Sequence, residues 1–133
     1  MKRSAPLVRK APISRGTSQL KRTAMKKRAP KKRPGHDKRM LEACRGAHCF
    51  LAVPGVCCGD TATVVPCHAN WSDYGKGAGL KAPDKFTVPG CWRCHAWLDA
   101  GSAPRDEKRQ AWERAYKRWA AYREQDLGLL SAA

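Results

Sequence analysis

The sequence predicts a small α+β domain behind a long basic tail. Three observations carry that reading. The positive charge is concentrated at the start of the chain, two short β-branched runs lead into a CxxCH segment, and the last third holds one long helical period. Residues 1–39 contain 15 of the 27 Lys and Arg and a single acid, Asp37, so 14 of the 16 net positive charges sit there. Residues 40–133 are near balance, with 12 basic and 10 acidic side chains. At 133 residues one domain is the expected number. A domain of about 94 residues buries a modest share of its surface, and a metal cross-link would offset a thin core.

The tail, residues 1–39, is rich in Pro, Ser and basic residues and has no apolar period. It cannot bury enough surface to offset its ordering entropy and is expected to be disordered in isolation. Lys26, Lys27 and Arg28, then Lys31, Lys32 and Arg33, would neutralise phosphates and release counterions. Charge of one sign at this density points to a polyanion such as DNA. Neither a signal-peptide apolar run nor a stretch approaching the ~20 apolar residues of a membrane span is visible. Seven cysteines with a CxxC beside a histidine suit a reducing compartment, where such clusters bind metal.

After the tail the elements are expected in this order. Residues 38–45 form a helical turn. Pro54-Gly55 and Gly59-Asp60 mark turns that bring Cys49 and Cys57, eight positions apart, together. Residues 61–68 are the best strand candidate by β-branched content. Residues 69–83 are loop, and residues 85–89 are a second short strand broken by Gly90. CWRCHAWLDA, residues 91–100, is a short helix with Gly101 as its C′ glycine. Ser102 to Asp126 is a long helix, with Ser102 as cap and Pro104 in its first turn. Trp112, Ala115, Tyr116, Trp119 and Arg123 recur at helical spacing and should pack on the domain. Lys108, Arg109, Arg114, Lys117 and Arg118 lie on other faces, either solvated or touching nucleic acid. Residues 127–133 are expected to be a flexible C-terminus.

Two sets of side chains carry chemistry. Cys49, Cys57, Cys91 and Cys94 form two ligand pairs from distant segments, the usual construction of a tetrahedral thiolate zinc site. Cys44 and Cys58 are expected to be buried small hydrophobes. The second set is His68, Asp84, His95 and Asp99. His68 ends the first strand, and His95 and Asp99 lie four apart on one face of the helix after the second. A strand pair followed by a helix brings a strand end and a helix start together. Imidazole and carboxylate suit a hard or borderline cation, and a histidine titrates near neutrality as a base should. Phosphodiester hydrolysis needs both.

A histidine at a strand end, a Gly-rich loop, a polar residue and then CxxCH resembles the HNH, or ββα-metal (His-Me finger), endonucleases. GVCCGD, then GKGAGLKAPD, then CWRCHAWLD is similar to the small YbcO-like phage and prophage nucleases, related to the RecA-dependent nuclease Ref. The resemblance covers about residues 40–123. It implies His68 as general base, Asp84 at the central position that orients that base, and His95 and Asp99 as ligands of a catalytic Mg²⁺ or other divalent cation. It implies Cys49, Cys57, Cys91 and Cys94 as ligands of a structural Zn²⁺, and Lys81 in a loop that could contact phosphate. The sequence departs from many HNH enzymes at Cys67, where a ligand precedes the base histidine, and at Ala69-Asn70, where an arginine is expected. The resemblance implies a DNA endonuclease domain over residues 40–126, acting in a bacterial cytoplasm in phage recombination or DNA processing, on DNA that is single-stranded or recombinase-bound among other forms. The same residues also fit a non-catalytic zinc-bound DNA-binding module, or a recombination accessory protein that docks a partner on the Trp112/Trp119 face.

Overall fold

The computed structural model describes residues 35–129 together with Gly16 and Arg33. The tail cations Lys26, Lys27, Arg28, Lys31 and Lys32, and the end of the chain from residue 130, lie outside the described residues. The chain divides into Met1–Pro30 and Lys31–Ala133, and every described helix and strand belongs to the second unit.

That unit is a small α+β fold with a two-stranded sheet and three helices. Helix α1 spans Lys38–Cys44, and the Asp37 carboxylate accepts from the Arg39 N–H to cap it. The fold therefore begins before residue 40, because the cap lies in what reads as tail. Strand β1 covers Val65–His68 and β2 covers Thr87–Gly90, antiparallel, with Val65 opposite Gly90, Pro66 opposite Pro89, Cys67 opposite Val88 and His68 opposite Thr87. Helix α2 is Trp92–Ala100 and α3 is Arg105–Gln125.

The borders differ from the sequence expectation for local reasons. Residues 61–63 are a 3₁₀ turn and not strand, because the Asp60 side chain accepts from the Ala62 N–H and coils the chain. The second strand begins at Thr87, two residues late: Phe86 N–H donates to Pro83 O and the Thr87 hydroxyl donates to Asp84 O, which holds residues 83–87 in a turn. Gly90 does not break that strand but pairs with Val65. A Cβ there would fall 2.5 Å from Cys67 Sγ, so only glycine lets the two strands close at that point. Gly101 ends α2 as expected, but with φ −61°, not in the left-handed region. Helix α3 starts two residues later than expected, with Pro104 and not Ser102 at the cap position. The proline ring keeps residue 103 out of the helical region, so a helix cannot run through it.

Pro66 and Pro89 face each other and neither has an N–H to give, so theirs is a non-hydrogen-bonded pair. The Pro89 carbonyl turns outward and accepts from Phe50 N–H at 3.0 Å and Leu51 N–H at 3.2 Å. One face of the sheet packs on α3. Trp112, Ala115 and Trp119 are fully buried, and Trp112 Nε1 donates to the Cys67 carbonyl at 3.2 Å. Trp112 stacks on Tyr116, and Trp119 meets Phe50 edge-on at 5.0 Å. The aromatic stripe is thus core, and the Trp112/Trp119 face is not open to a partner. Among the described residues no helix is long and apolar enough to cross a membrane.

Candidate functional site

The four cysteines expected to share an ion come together. The sulfurs of Cys49, Cys57, Cys91 and Cys94 lie within 4.8 Å of one another, and they are the one such ligand group among the described residues. Cys57 and Cys91 Sγ are 3.9 Å apart. A tetrahedral ion with ~2.3 Å metal–sulfur bonds needs sulfurs ~3.8 Å apart, so the set fits a metal such as zinc. Backbone N–H groups already point at the sulfurs: Cys49 Sγ accepts from Cys91 N–H at 3.2 Å and Ala52 N–H at 3.4 Å. Burial pushes the Cys91 thiol up, but N–H donors from Cys94 and Cys58 outweigh it and bring the group down to about 6. Burial raises Cys49 and Cys94. One ready thiolate beside reluctant ones is a set that a cation would draw into full ionisation.

The remaining cysteines divide. Cys44 is buried, its thiol donates to the Met40 carbonyl at 3.4 Å, and burial raises its pKa to about 11. It is the inert small side chain the sequence suggests. Cys58 is not: it is exposed, and it borders the cluster, with its backbone N–H and its side chain both bonded to the Cys91 sulfur. Cys67, directly before His68, is buried with its thiol against the Val65 carbonyl, and burial pushes its pKa strongly up. It packs in the core and is no part of the thiolate cluster.

His68, at the end of β1, and His95 and Asp99, on α2, line one surface cavity of about 610 Å³. Lys81, Lys76 and Asn70 share its wall. His95 Nε2 and Asp99 Oδ2 are 3.2 Å apart, one helical turn from each other. The Asn70 amide donates to the other Asp99 oxygen at 2.8 Å and so fixes the carboxylate. Asn70 stands where an arginine is expected, and only the fold reveals its partner. A second cavity of about 510 Å³ adjoins the first, sharing Asn70, Lys76 and Asp99, and adds Arg105 and Lys108 from the start of α3. Two of the other α3 cations considered for nucleic acid differ, while Arg114 and Lys117 are exposed. Arg109 is tied to Asp73 at 2.6 Å and Glu113 at 2.9 Å, and Arg118 donates to the Phe50 carbonyl at 2.7 Å.

Asp84 is fully buried beneath His68. Its Oδ1 accepts from His68 Nε2 at 3.0 Å and pairs with the Arg33 guanidinium. Its Oδ2 meets His36 Nδ1 at 2.7 Å and accepts from Asp37 N–H at 3.0 Å. Burial opposes ionisation, but these donors outweigh it and hold the carboxyl below its usual range. An ionised carboxylate can only accept, so His68 donates through Nε2 and its Nδ1 is the nitrogen left with a lone pair. Burial lowers the His68 pKa and Asp84 only partly restores it. Arg33, expected among the DNA-binding tail cations, thus lies against a buried acid, drawn there by its charge. The sequence gives no sign of His36, a lone histidine inside a basic run.

A family described as "Putative nuclease YbcO" matches residues 38–127, from the start of α1 to just past α3. Two relatives, "Putative nuclease YbcO" of Escherichia coli (strain K12) and "Putative nuclease ybcO" of Enterobacteria phage 82, are each 36% identical over 60 residues. Those residues are 45% of this chain and 62% of the relative, so less than two thirds of each relative's length is matched. The solved "Structure of a putative bacteriophage protein from Escherichia coli str. K-12 substr. MG1655" is similar with a TM-score of 0.52 and 22% identity, over 65% of this chain and 98% of that one. At that identity the likeness is one of fold. With the family match running through all three helices and both strands, this chain belongs to the family described as "Putative nuclease YbcO".

Proposed function

We propose that the chain is a metal-dependent DNA endonuclease of the HNH, or ββα-metal, type, related to the Ref nuclease and working in phage recombination or DNA processing. The observation that carries the reading is the shared cavity, lined both by a histidine oriented by a buried carboxylate and by a His–Asp pair one helical turn apart. Water in that cavity gives its proton to His68 Nδ1 and attacks phosphorus in line with the leaving 3′ oxygen, leaving 5′-phosphate and 3′-hydroxyl ends. Asp84 fixes the imidazole tautomer and balances the imidazolium that forms. His95 and Asp99 would hold a divalent cation, which when bound supplies positive charge to the phosphorane and the leaving oxygen. The thiolate cluster would hold a structural zinc. Lys81 would contact a phosphate near the scissile bond, and the basic tail would supply affinity for DNA, whether duplex, single-stranded or recombinase-bound. The direct test is nicking of a supercoiled plasmid with added Mg²⁺ or Mn²⁺. Tight DNA binding without divalent-dependent cleavage would leave a zinc-bound binding module instead.

A pH profile tests the base. His68 must be neutral to accept a proton, so the rate rises with pH through its pKa. Burial moves that pKa below the ordinary 6.5, and the acidic limb of kcat should lie below that value. In Asp84→Asn the negative charge that favours the imidazolium is gone, so the limb should shift further to acid while kcat falls by about 10²-fold or more. A limb that stays in place in the variant would separate Asp84 from the titrating group.

Salt dependence tests the path of the strand. The two adjoining cavities make one groove past Lys76 to Arg105 and Lys108. Each phosphate contact contributes about 0.9 to the slope of log K against log salt. Arg105→Gln with Lys108→Gln should lower that slope by about 1–2, whereas Arg109→Gln, already tied to two carboxylates, should leave it unchanged. Equal slopes in all three proteins would place the strand elsewhere.

A further inference from the structure

We propose that Arg33 and residues 35–37 form a strap behind the active centre, with His36 and Arg33 as positioning residues that act on His68 through Asp84. The inference deepens the nuclease reading and rests on it. A carboxylate has two oxygens, and on Asp84 both are filled. Of its four partners only His68 comes from the cavity wall; Arg33, His36 and the Asp37 N–H all lie just before α1.

The contact runs in both directions. The Asp84 N–H donates back to the Gly35 carbonyl at 2.9 Å, so strap and loop are joined by backbone as well as by side chains. Gly35 allows this approach: its φ is +71°, and a Cβ there would lie 2.7 Å from Pro83 Cβ. The strap therefore seats against Pro83-Asp84 only with glycine at its centre. Without these donors a buried carboxylate would either take a proton or turn toward other donors. Either outcome removes the acceptor that keeps the proton on His68 Nε2. Arg33 and His36 also stand at the join between the basic tail and the domain. The segment that reads as the end of a DNA-binding arm is, by its contacts, the support of the buried acid that holds His68.

His36 is half-exposed, and its ring lines a separate cavity of about 550 Å³ with Met40, Pro83 and Lys85, away from the His95–Asp99 wall. It can be removed without opening the core, and a small molecule can reach its place. The experiment uses the full-length, zinc-loaded chain. His36→Ala should lower kcat for plasmid nicking about 10-fold with KM little changed, and Arg33→Ala with His36→Ala about 100-fold. Added imidazole should recover much of the loss in His36→Ala. His36→Asn, whose amide nitrogen can sit where Nδ1 does, should stay close to wild type.

A second readout does not depend on cleavage. Nitrogen-15 NMR of the His68 ring should report the Nε2–H tautomer in wild type and a mixture in the double variant. If wild type cleaves nothing but the ring signals change, the nuclease reading falls and the strap stands. A raised KM with unchanged kcat and unchanged His68 signals would make Arg33 and residues 35–37 part of the DNA-binding arm alone, and would overturn the proposal.

Discussion

His68→Ala should slow plasmid nicking by about 10²–10⁴-fold, with DNA affinity and zinc content unchanged. The expectation follows from position. His68 is the last residue of β1, so the backbone that holds it is paired to Thr87 and cannot swing away. Its Nε2 is committed to Asp84, which leaves one nitrogen, Nδ1, to take a proton. No other histidine in the cavity is held by a buried carboxylate. His95 is joined to Asp99, and Lys76 and Lys81 are cations. The ring is largely buried but is not one of the apolar core side chains, so its loss removes a base without taking a residue from the core cluster. Gel-based nicking rates, with fluorescence anisotropy for binding, would decide it. Cleavage at the wild-type rate in His68→Ala would remove the histidine from its role, and with it the route by which water is activated.

If the cluster holds the proposed zinc, Cys91→Ser or Cys94→Ser should lose that ion and leave the domain largely unfolded at 37 °C. A structural zinc contributes about 10–16 kcal/mol of apparent binding energy, and a whole domain is stable by only about 5–15 kcal/mol. Two features place that loss at the centre of the molecule. Cys91 and Cys94 flank the first turn of α2, the helix that carries His95 and Asp99. Cys49 and Cys57 come from the loop whose Phe50 and Leu51 bond to the outer edge of β2. The ion would therefore tie together loop, strand end and helix start at one point. Zinc stoichiometry and thermal unfolding, with and without chelator, are the measurements. Cys58→Ser, exposed and outside the cluster, should bind zinc and melt as wild type does. A cooperative, zinc-free fold in Cys94→Ser would show that the cluster does not hold the scaffold.

Much of this arrangement was legible in the chain, for reasons that can be named. CxxC fixes two sulfurs on one helical turn whatever surrounds it. The α3 stripe is a period of one helix and needs no partner to be seen. The i, i+4 relation of His95 and Asp99 is likewise local. What was hidden depends on distant pairs. His36 is 48 residues from Asp84, and Asn70 is 29 from Asp99, and nothing near either residue marks them. Arg33 looks like its neighbours in a run of cations, and only a buried acid distinguishes it. The element borders differed where a single side chain overrode propensity: Asp60 coiled residues 61–63, and Pro104 held off the start of α3.

The facing prolines of the hairpin have a further consequence. Sliding either strand by one residue would set a ring nitrogen, which has no hydrogen to give, at a position where the ladder requires one. The same slide would turn His68 to the opposite side of the sheet. A two-stranded ribbon of four residues a side has little else to keep its alignment. Two absent protons thus make the misaligned hairpin costly, and the histidine faces the cavity because the alternatives are closed to it.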